Sequence, residues 1–81
     1  EYLFITAISY LKVGNEKDSI RIFKKLLKLN LYQYNDKAYF GLYLNYYRLS
    51  NKKRIEEIRT LFKTRYKNSE FYEKVLNFNN D

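Results

Sequence analysis

Two amphipathic runs separated by a Gly-Asn pair constrain the fold of this chain more than any other feature of its sequence. The first run ends at Gly14, and glycine adopts the left-handed conformation that closes a helix at little steric cost. The side chain of Asn15 can cap the second run, with Asp18 three residues on in an arrangement close to a capping box. Residues 5–31 are therefore predicted to form two helices that lie back to back.

Apolar side chains at three- and four-residue spacing predict helices along the rest of the chain as well. No segment shows the strict alternation of a half-buried strand, so the predicted fold class is all-α. The predicted helices span residues 2–13, 16–30, 37–49, 52–66 and 70–78. Residues 31–35 are predicted to be a linker, after which Asn35 or Asp36 caps the third helix. Asn51 is predicted to cap the fourth helix, and Asn68 or Ser69 the fifth.

The first two predicted helices differ in how much of their surface is apolar. The second helix has one wet side, rich in lysine, and the apolar face predicted for it consists of Ile20, Phe23, Leu26, Leu27 and Asn30. The first helix is apolar most of the way round, which is normal for a helix that is buried on both sides. A preceding helix, a partner protein or a second copy of the chain could each cover it.

The residue types that the chain lacks exclude several classes of function. It contains no Cys and no His, so disulfides, thiolate metal sites and the usual catalytic bases and nucleophiles are missing. We therefore predict no enzymatic activity, no cofactor, no metal ion and no small-molecule substrate. The apolar opening is shorter than the ~20 residues of a transmembrane helix, and no signal peptide is apparent. The compartment stays open, with the cytoplasm slightly favoured.

The length of the chain limits it to one small domain. A chain of 81 residues buries only about 60% of the surface that its unfolded form exposes, which leaves a thin margin of stability. The sequence contains no Met and begins inside a predicted helix. We therefore expect residues 1–81 to be a fragment of a larger protein.

An internal repeat relates the two halves of the chain. Ala7 is followed about 34 residues later by Gly41, and the apolar face around Phe23 recurs around Ile58 at nearly the same spacing. Gly41 lies in the middle of the third predicted helix, where glycine costs about 1 kcal/mol relative to alanine. Close approach of another helix is the predicted reason for a glycine at this position.

The first repeat resembles the tetratricopeptide repeat (TPR), a helical hairpin of about 34 residues. The matching positions follow the family's order of small, aromatic, glycine, small and aromatic residues, and they are Ala7, Tyr10, Gly14, Ser19 and Phe23. Leu31 replaces the usual proline, and the second unit lacks the turn glycine. The resemblance implies two stacked antiparallel hairpins, over about residues 2–31 and 36–66, with a capping helix over about residues 69–78.

The resemblance to TPR proteins also implies a groove lined by the first helix of each hairpin. The residues that it places there are Phe4, Ile8, Leu11, Lys12, Ala38, Leu42, Asn45 and Tyr46. This surface is apolar and aromatic, as suits recognition of a helix or an extended segment. We expect a protein-interaction module that binds another protein or itself, although the same residues could instead pack against a neighbouring helix.

Nucleic acid or another polyanion is the alternative partner. The net charge is +7, and positive charge favours association with phosphate backbones. The basic residues that could follow such a backbone are Arg48, Lys52, Lys53, Arg54, Arg59 and Lys63. Exposed tyrosines could stack on bases, and the first hairpin also resembles the pentatricopeptide repeat, a family that reads single-stranded RNA.

Overall fold

The computed structural model describes residues 2–77, and these residues form five helices and no strand. The helices are α1 (Tyr2–Lys12), α2 (Glu16–Lys28), α3 (Tyr32–Arg48), α4 (Lys52–Arg65) and α5 (Tyr72–Asn77). Each helix packs against the next one in the sequence, and α1 also contacts α3. The prediction of an all-α fold is confirmed. None of these five helices combines the length and the apolar character that crossing a membrane requires.

The turns within the two hairpins share one hydrogen-bonding pattern. Gly14 has a φ of 81°, and Asn15 donates its backbone N–H to the carbonyl of Tyr10 over 2.9 Å. In the second hairpin Ser50 takes the left-handed conformation with a φ of 56°, and the N–H of Asn51 reaches Tyr46 over 2.9 Å. The second turn therefore keeps the geometry of the first without a glycine.

The predicted caps of α2 and α4 are confirmed. The Asn15 side chain accepts a hydrogen bond from the N–H of Asp18 over 3.2 Å, and its amide group donates to the Asp18 carboxylate over 2.8 Å. The Asn51 side chain accepts from the N–H of Arg54, also over 3.2 Å. Each asparagine thus satisfies one of the N–H groups that the first turn of a helix leaves free.

The predicted linker over residues 31–35 is wrong. α3 begins at Tyr32, so the predicted caps Asn35 and Asp36 lie inside the helix, and Leu31 takes the N-cap position without a side-chain hydrogen bond. The chain turns at Asn30, whose φ is 52°. Asparagine is one of the few residues other than glycine that enter this region, and the reversal is complete before residue 31.

α2 lies between α1 and α3 and buries a wide face against them. Ile22 and Ser19 are buried together with Phe23 and Leu26, whereas two members of the predicted face, Ile20 and Leu27, are half-buried. Asn30, the fifth member, is exposed. The buried face is therefore rotated from the predicted one, because α2 packs against a helix on each side.

α3 approaches the first hairpin closely at Gly41, as the glycine at this position led us to expect. A Cβ atom at this position would overlap the ring of Phe23, which is completely buried. Beside it, the Ser19 hydroxyl donates to the carbonyl of Ala7 over 2.8 Å and accepts from the Asn45 amide over 2.9 Å. This chain of hydrogen bonds joins α1, α2 and α3 inside the core.

α5 covers the far side of α3 and α4. The ring of Phe71, just before α5, stacks on Phe40 with centroids 4.6 Å apart, and Val75 is completely buried. Arg59 on α4 donates its Nε hydrogen to the carbonyl of Val75 over 3.2 Å. α5 begins at Tyr72, two residues later than predicted, and the predicted contact of Phe78 lies outside the described residues.

Candidate functional site

A pocket of about 310 Å³ lies between α2 and α4, with α3 as its floor. We call this pocket the α2–α4 slot. Its lining residues are Lys24, Leu27, Tyr39, Leu42, Tyr46, Arg54, Glu57, Ile58 and Leu61. Six of these nine side chains are aliphatic or aromatic, and the charged ones are Lys24, Arg54 and Glu57.

The floor of the slot is buried and its walls are partly exposed. Leu42 and Tyr46 are only 4% and 8% exposed, so they belong to the core as well as to the slot. Leu27 on α2 and Leu61 on α4 are half-buried and reach solvent from opposite walls. Apolar surface in contact with water costs about 25 cal/mol per Å² relative to its buried state. An apolar group that entered the slot would remove this cost.

Within the described residues, one of the two basic side chains at the rim of the slot forms an ion pair and the other does not. Arg54 contacts the carboxylate of Glu57 over 2.9 Å, and this hydrogen bond raises the pKa of the Arg54 guanidinium. Lys24, on the opposite wall, makes no ion pair with any residue in the range 2–77. The slot therefore has an apolar interior and a net positive rim.

A second pocket, of about 380 Å³, lies between the start of α3 and the end of α4. We call it the α3–α4 cleft. Its lining residues are Tyr32, Gln33, Asp36, Thr64, Arg65, Tyr66, Lys67, Asn68 and Ser69. Most residues that line the cleft are polar or charged, and within it the Ser69 hydroxyl donates to the Asp36 carboxylate over 2.7 Å.

The slot and the cleft adjoin at a pair of neighbouring tyrosines. The ring of Tyr39, which lines the slot, lies 6.0 Å from the ring of Tyr66, which lines the cleft. Burial raises the pKa of the Tyr66 hydroxyl. An apolar site and a polar site therefore adjoin along one face of α3.

The structure does not bring the eight residues predicted for a partner groove onto one open surface. Ala38 and Asn45 are completely buried against the first hairpin, and Leu11 is 6% exposed. Leu42 and Tyr46 point into the α2–α4 slot instead. The reason is that α3 uses its small residues to pack against α1 and α2, which turns its bulky side chains towards α4.

The three remaining groove residues lie on or beside α1. Phe4 is half-buried between the rings of Phe23 and Tyr34, at centroid distances of 6.2 Å and 6.0 Å. Ile8 is half-buried and Lys12 is exposed. The outer face of α1 carries further exposed apolar side chains, which are Tyr2, Ile5 and Val13. The described residues leave this face uncovered.

The predicted basic residues divide into an engaged group and a free group. Arg48 contacts Glu16 over 3.6 Å and donates to the carbonyl of Leu11, and Arg54 is paired with Glu57 as above. Arg59 contacts Glu56 and is 12% exposed at its side chain. The free group is Lys52, Lys53 and Lys63, which are exposed and make no ion pair within the described range.

Sequence reasoning assigned Leu27 to the apolar face of the second helix, and it missed that Leu27 lines a pocket together with Ile58 and Leu61. The apolar character of Leu27 and Leu61 is visible in the sequence, but the repeat does not pair them, because the turn at Asn15 recurs at Asn51, two residues beyond the spacing that would match these leucines. Leu27 on α2 and Leu61 on α4 line the slot from its two walls. The repeat spacing alone does not say whether the gap between them is filled.

The described residues offer no group of three or more acidic side chains close enough together to hold a metal ion. Comparisons with protein-family models, curated protein sequences and solved structures gave no match to this chain. What the protein binds must therefore be inferred from the chemistry of the slot and the cleft.

Proposed function

We propose that this chain is a non-catalytic protein-interaction module that holds an apolar side chain of a partner in the α2–α4 slot. The observation that carries the proposal is the open apolar pocket itself, with Leu27 and Leu61 half-exposed on its two walls. Its volume, about 310 Å³, is at the lower end of the ~300–1,000 Å³ of pockets that bind ligands. One or two large apolar side chains are a suitable occupant, and such anchors dominate the energetics of many interfaces.

A TPR-like arrangement of the two hairpins is part of this proposal. The two hairpin turns have the same backbone pattern, and α3 packs against both helices of the first hairpin. Gly41 allows the close approach, which is the role of the small residue in a stacked helical repeat. Both features support a repeat in which the second helices, α2 and α4, lie side by side with α3 beneath them.

The slot is suited to a helix or an extended segment laid between α2 and α4. Two parallel walls with a continuous apolar floor can receive side chains at regular spacing from either kind of segment. A floor made from core residues such as Leu42 is already ordered before the partner arrives. Little conformational entropy is then lost on binding, which favours affinity.

Polyanion binding is a second candidate, and the free group Lys52, Lys53 and Lys63 supports it. Three of the six predicted basic residues are already paired or hydrogen-bonded within the chain, which shortens the row of cations that could follow a phosphate backbone. Contacts made by the remaining lysines are expected to weaken steeply with salt.

Selection from a random peptide library displayed on phage tests the proposal and identifies the bound sequence. The variant is Leu61→Glu, which puts a charge on the wall of the slot while leaving the buried floor intact. The matched control is Ile5→Glu, the same kind of change at a position that is 64% exposed on the outer face of α1. We expect Leu61→Glu to weaken selected peptides about tenfold or more, measured by fluorescence anisotropy, because a buried charge in an apolar contact is costly.

Circular dichroism on both variants checks that the helices are retained. Equal binding by Leu61→Glu and loss of binding by Ile5→Glu would move the site to α1 and disprove the slot. Labelled single-stranded RNA is run beside the peptides at near-physiological salt. RNA binding that survives this salt, without peptide enrichment, would replace the proposal with the polyanion candidate.

A further inference from the structure

We infer that the α3–α4 cleft continues the α2–α4 slot and takes acidic side chains of the same partner segment. The inference rests on the proposed function of the slot and adds a second subsite with different chemistry. The partner is then a protein segment with an apolar anchor at one end and Asp or Glu at the other. Shape, charge and spacing each support this assignment.

The two pockets adjoin along α3. Tyr39 lines the slot and Tyr66 lines the cleft, and their ring centroids are 6.0 Å apart. α3 supplies Leu42 to the slot and Asp36 to the cleft. These residues are six positions apart on one helix, which corresponds to about 9 Å along its axis.

The cleft end carries two cations that are not engaged in ion pairs within the described residues. Arg65 and Lys67 line the cleft, and neither makes an ion pair with a residue in the range 2–77. At the slot end, Arg54 is paired with Glu57, and Lys24 on the opposite wall is one cation that is unpaired in the same range. A segment that lies along α3 therefore meets an apolar surface first and two free cations next.

The acidic residue that lines the cleft offsets one of these two positive charges but pairs directly with neither cation. Asp36 accepts from the Ser69 hydroxyl over 2.7 Å and from the backbone N–H of Lys37 over 2.9 Å. Both of its oxygens are therefore occupied by neutral donors. Arg65 and Lys67 remain available to carboxylates from outside, with which Arg can form paired hydrogen bonds.

The geometry gives the partner a sequence pattern. An offset of about 9 Å equals about six residues in a helical segment and about three in an extended one. The acidic residues are expected on the side of the anchor that faces the cleft, where Arg65 and Lys67 lie. Both cations are exposed, so their contribution is to specificity and association rate more than to raw affinity.

The test repeats the phage selection with Arg65→Glu/Lys67→Glu. The matched control is Lys17→Glu/Lys25→Glu, which changes the net charge equally at two exposed, unpaired lysines of α2 that do not line either pocket. Peptides enriched by the unaltered chain are expected to carry Asp or Glu at the predicted offset from an apolar anchor. Their affinity should fall about tenfold with the cleft variant and much less with the control, at near-physiological salt.

Reversing the charges of the peptide tests whether its acidic residues interact with the cleft itself. Replacing the acidic residues of an enriched peptide with lysine should restore part of its binding to Arg65→Glu/Lys67→Glu. Enriched peptides with an apolar anchor and no acidic preference would overturn the inference and leave the slot proposal standing. Equal losses with the cleft variant and the control would also overturn it, because the attraction would then be general. Failure to enrich any peptide on the folded chain would overturn both.

Discussion

The two sides of α3 are packed in opposite ways. Towards α1 and α2, it presents the small residues Ala38 and Gly41, and the ring of Phe23 fills the space directly over Gly41. Towards α4 and α5, it presents rings, among them Phe40, stacked on Phe71, and Tyr43, beside the Arg59 guanidinium. The first side is closed, whereas the slot opens on the second.

This difference shows how a helical repeat can create a binding surface. The distance between packed helices depends on the side chains at the contact. Small residues let the backbones approach, and buried hydrogen bonds such as that between Ser19 and Asn45 complete the contact. Rings such as Tyr39 and Tyr66 extend outward and form the wall of a pocket instead. The same helix thus serves as a core element on one side and as the floor of a site on the other.

The largest expected effect comes from removing the ring on the closed side. Phe23→Ala should cost about 3–5 kcal/mol of unfolding free energy, since the site is completely buried and packed from α1 and α3. This is a large share of the ~5–15 kcal/mol that small domains have. Urea denaturation followed by circular dichroism measures it. Phe71→Ala, at a half-buried ring on the open side, is the control and should cost less; equal losses would contradict the contrast between the two sides.

A smaller effect is expected from adding one methyl group to the closed side. Gly41→Ala gains about 1 kcal/mol of helix propensity, but its Cβ overlaps the Phe23 ring, and overpacking costs about 1–3 kcal/mol. The net result should be a loss of about 1 kcal/mol. In a Phe23→Leu background the overlap is relieved, so the same substitution should become neutral or stabilising. A double-mutant cycle from denaturation curves measures this coupling, and strictly additive effects would show that the close approach is not limiting.

The smallest effect is a change with pH on the open side. Burial raises the pKa of the Tyr43 hydroxyl, and the neighbouring Arg59 opposes this only in part. The unfolded chain therefore loses this proton first, near the ordinary tyrosine pKa of about 10. The contribution to stability is complete below about pH 10 and is lost as the pH rises through the higher pKa of the folded state.

Tyr43→Phe should therefore flatten the decline of the unfolding free energy between about pH 9 and pH 11. Denaturation curves across this range measure the slope for both proteins. Hydrogen exchange at the upper end should show protection falling in α4 before α2, because Tyr43 packs on the side of α3 that contacts Arg59. Parallel pH curves for the two proteins would remove Tyr43 as the cause.

Much of the fold could be predicted because its signals are local. Gly14 and Asn15 determine the first hairpin turn through their own backbone and side-chain preferences, and Gly41 marks the close contact. The start of α3 could not be predicted from such rules. Asn30 takes the left-handed conformation there, and the chain turns without the predicted linker. Only a minority of asparagines adopt this conformation.

The candidate site was less predictable than the helices that form it. Leu27 and Leu61 are recognisable in the sequence as apolar residues of predicted helices, but their exposure depends on the gap between α2 and α4. That gap is determined by the rings that α3 carries, a contact between elements distant in the sequence. The sequence also did not reveal which basic residues are paired, because ion pairs such as Arg48 with Glu16 join separate helices.

The sequence by itself determined the all-α class, the two hairpin turns and their caps, because helix periodicity and capping depend on residues a few positions apart. The tertiary structure alone decided that Asn45 is buried with Ser19, that Arg48 and Arg59 are engaged within the chain, and that the slot is open. These features depend on the distances between helices. Such distances follow from how the side chains of all five helices pack together. A local sequence pattern does not contain this information.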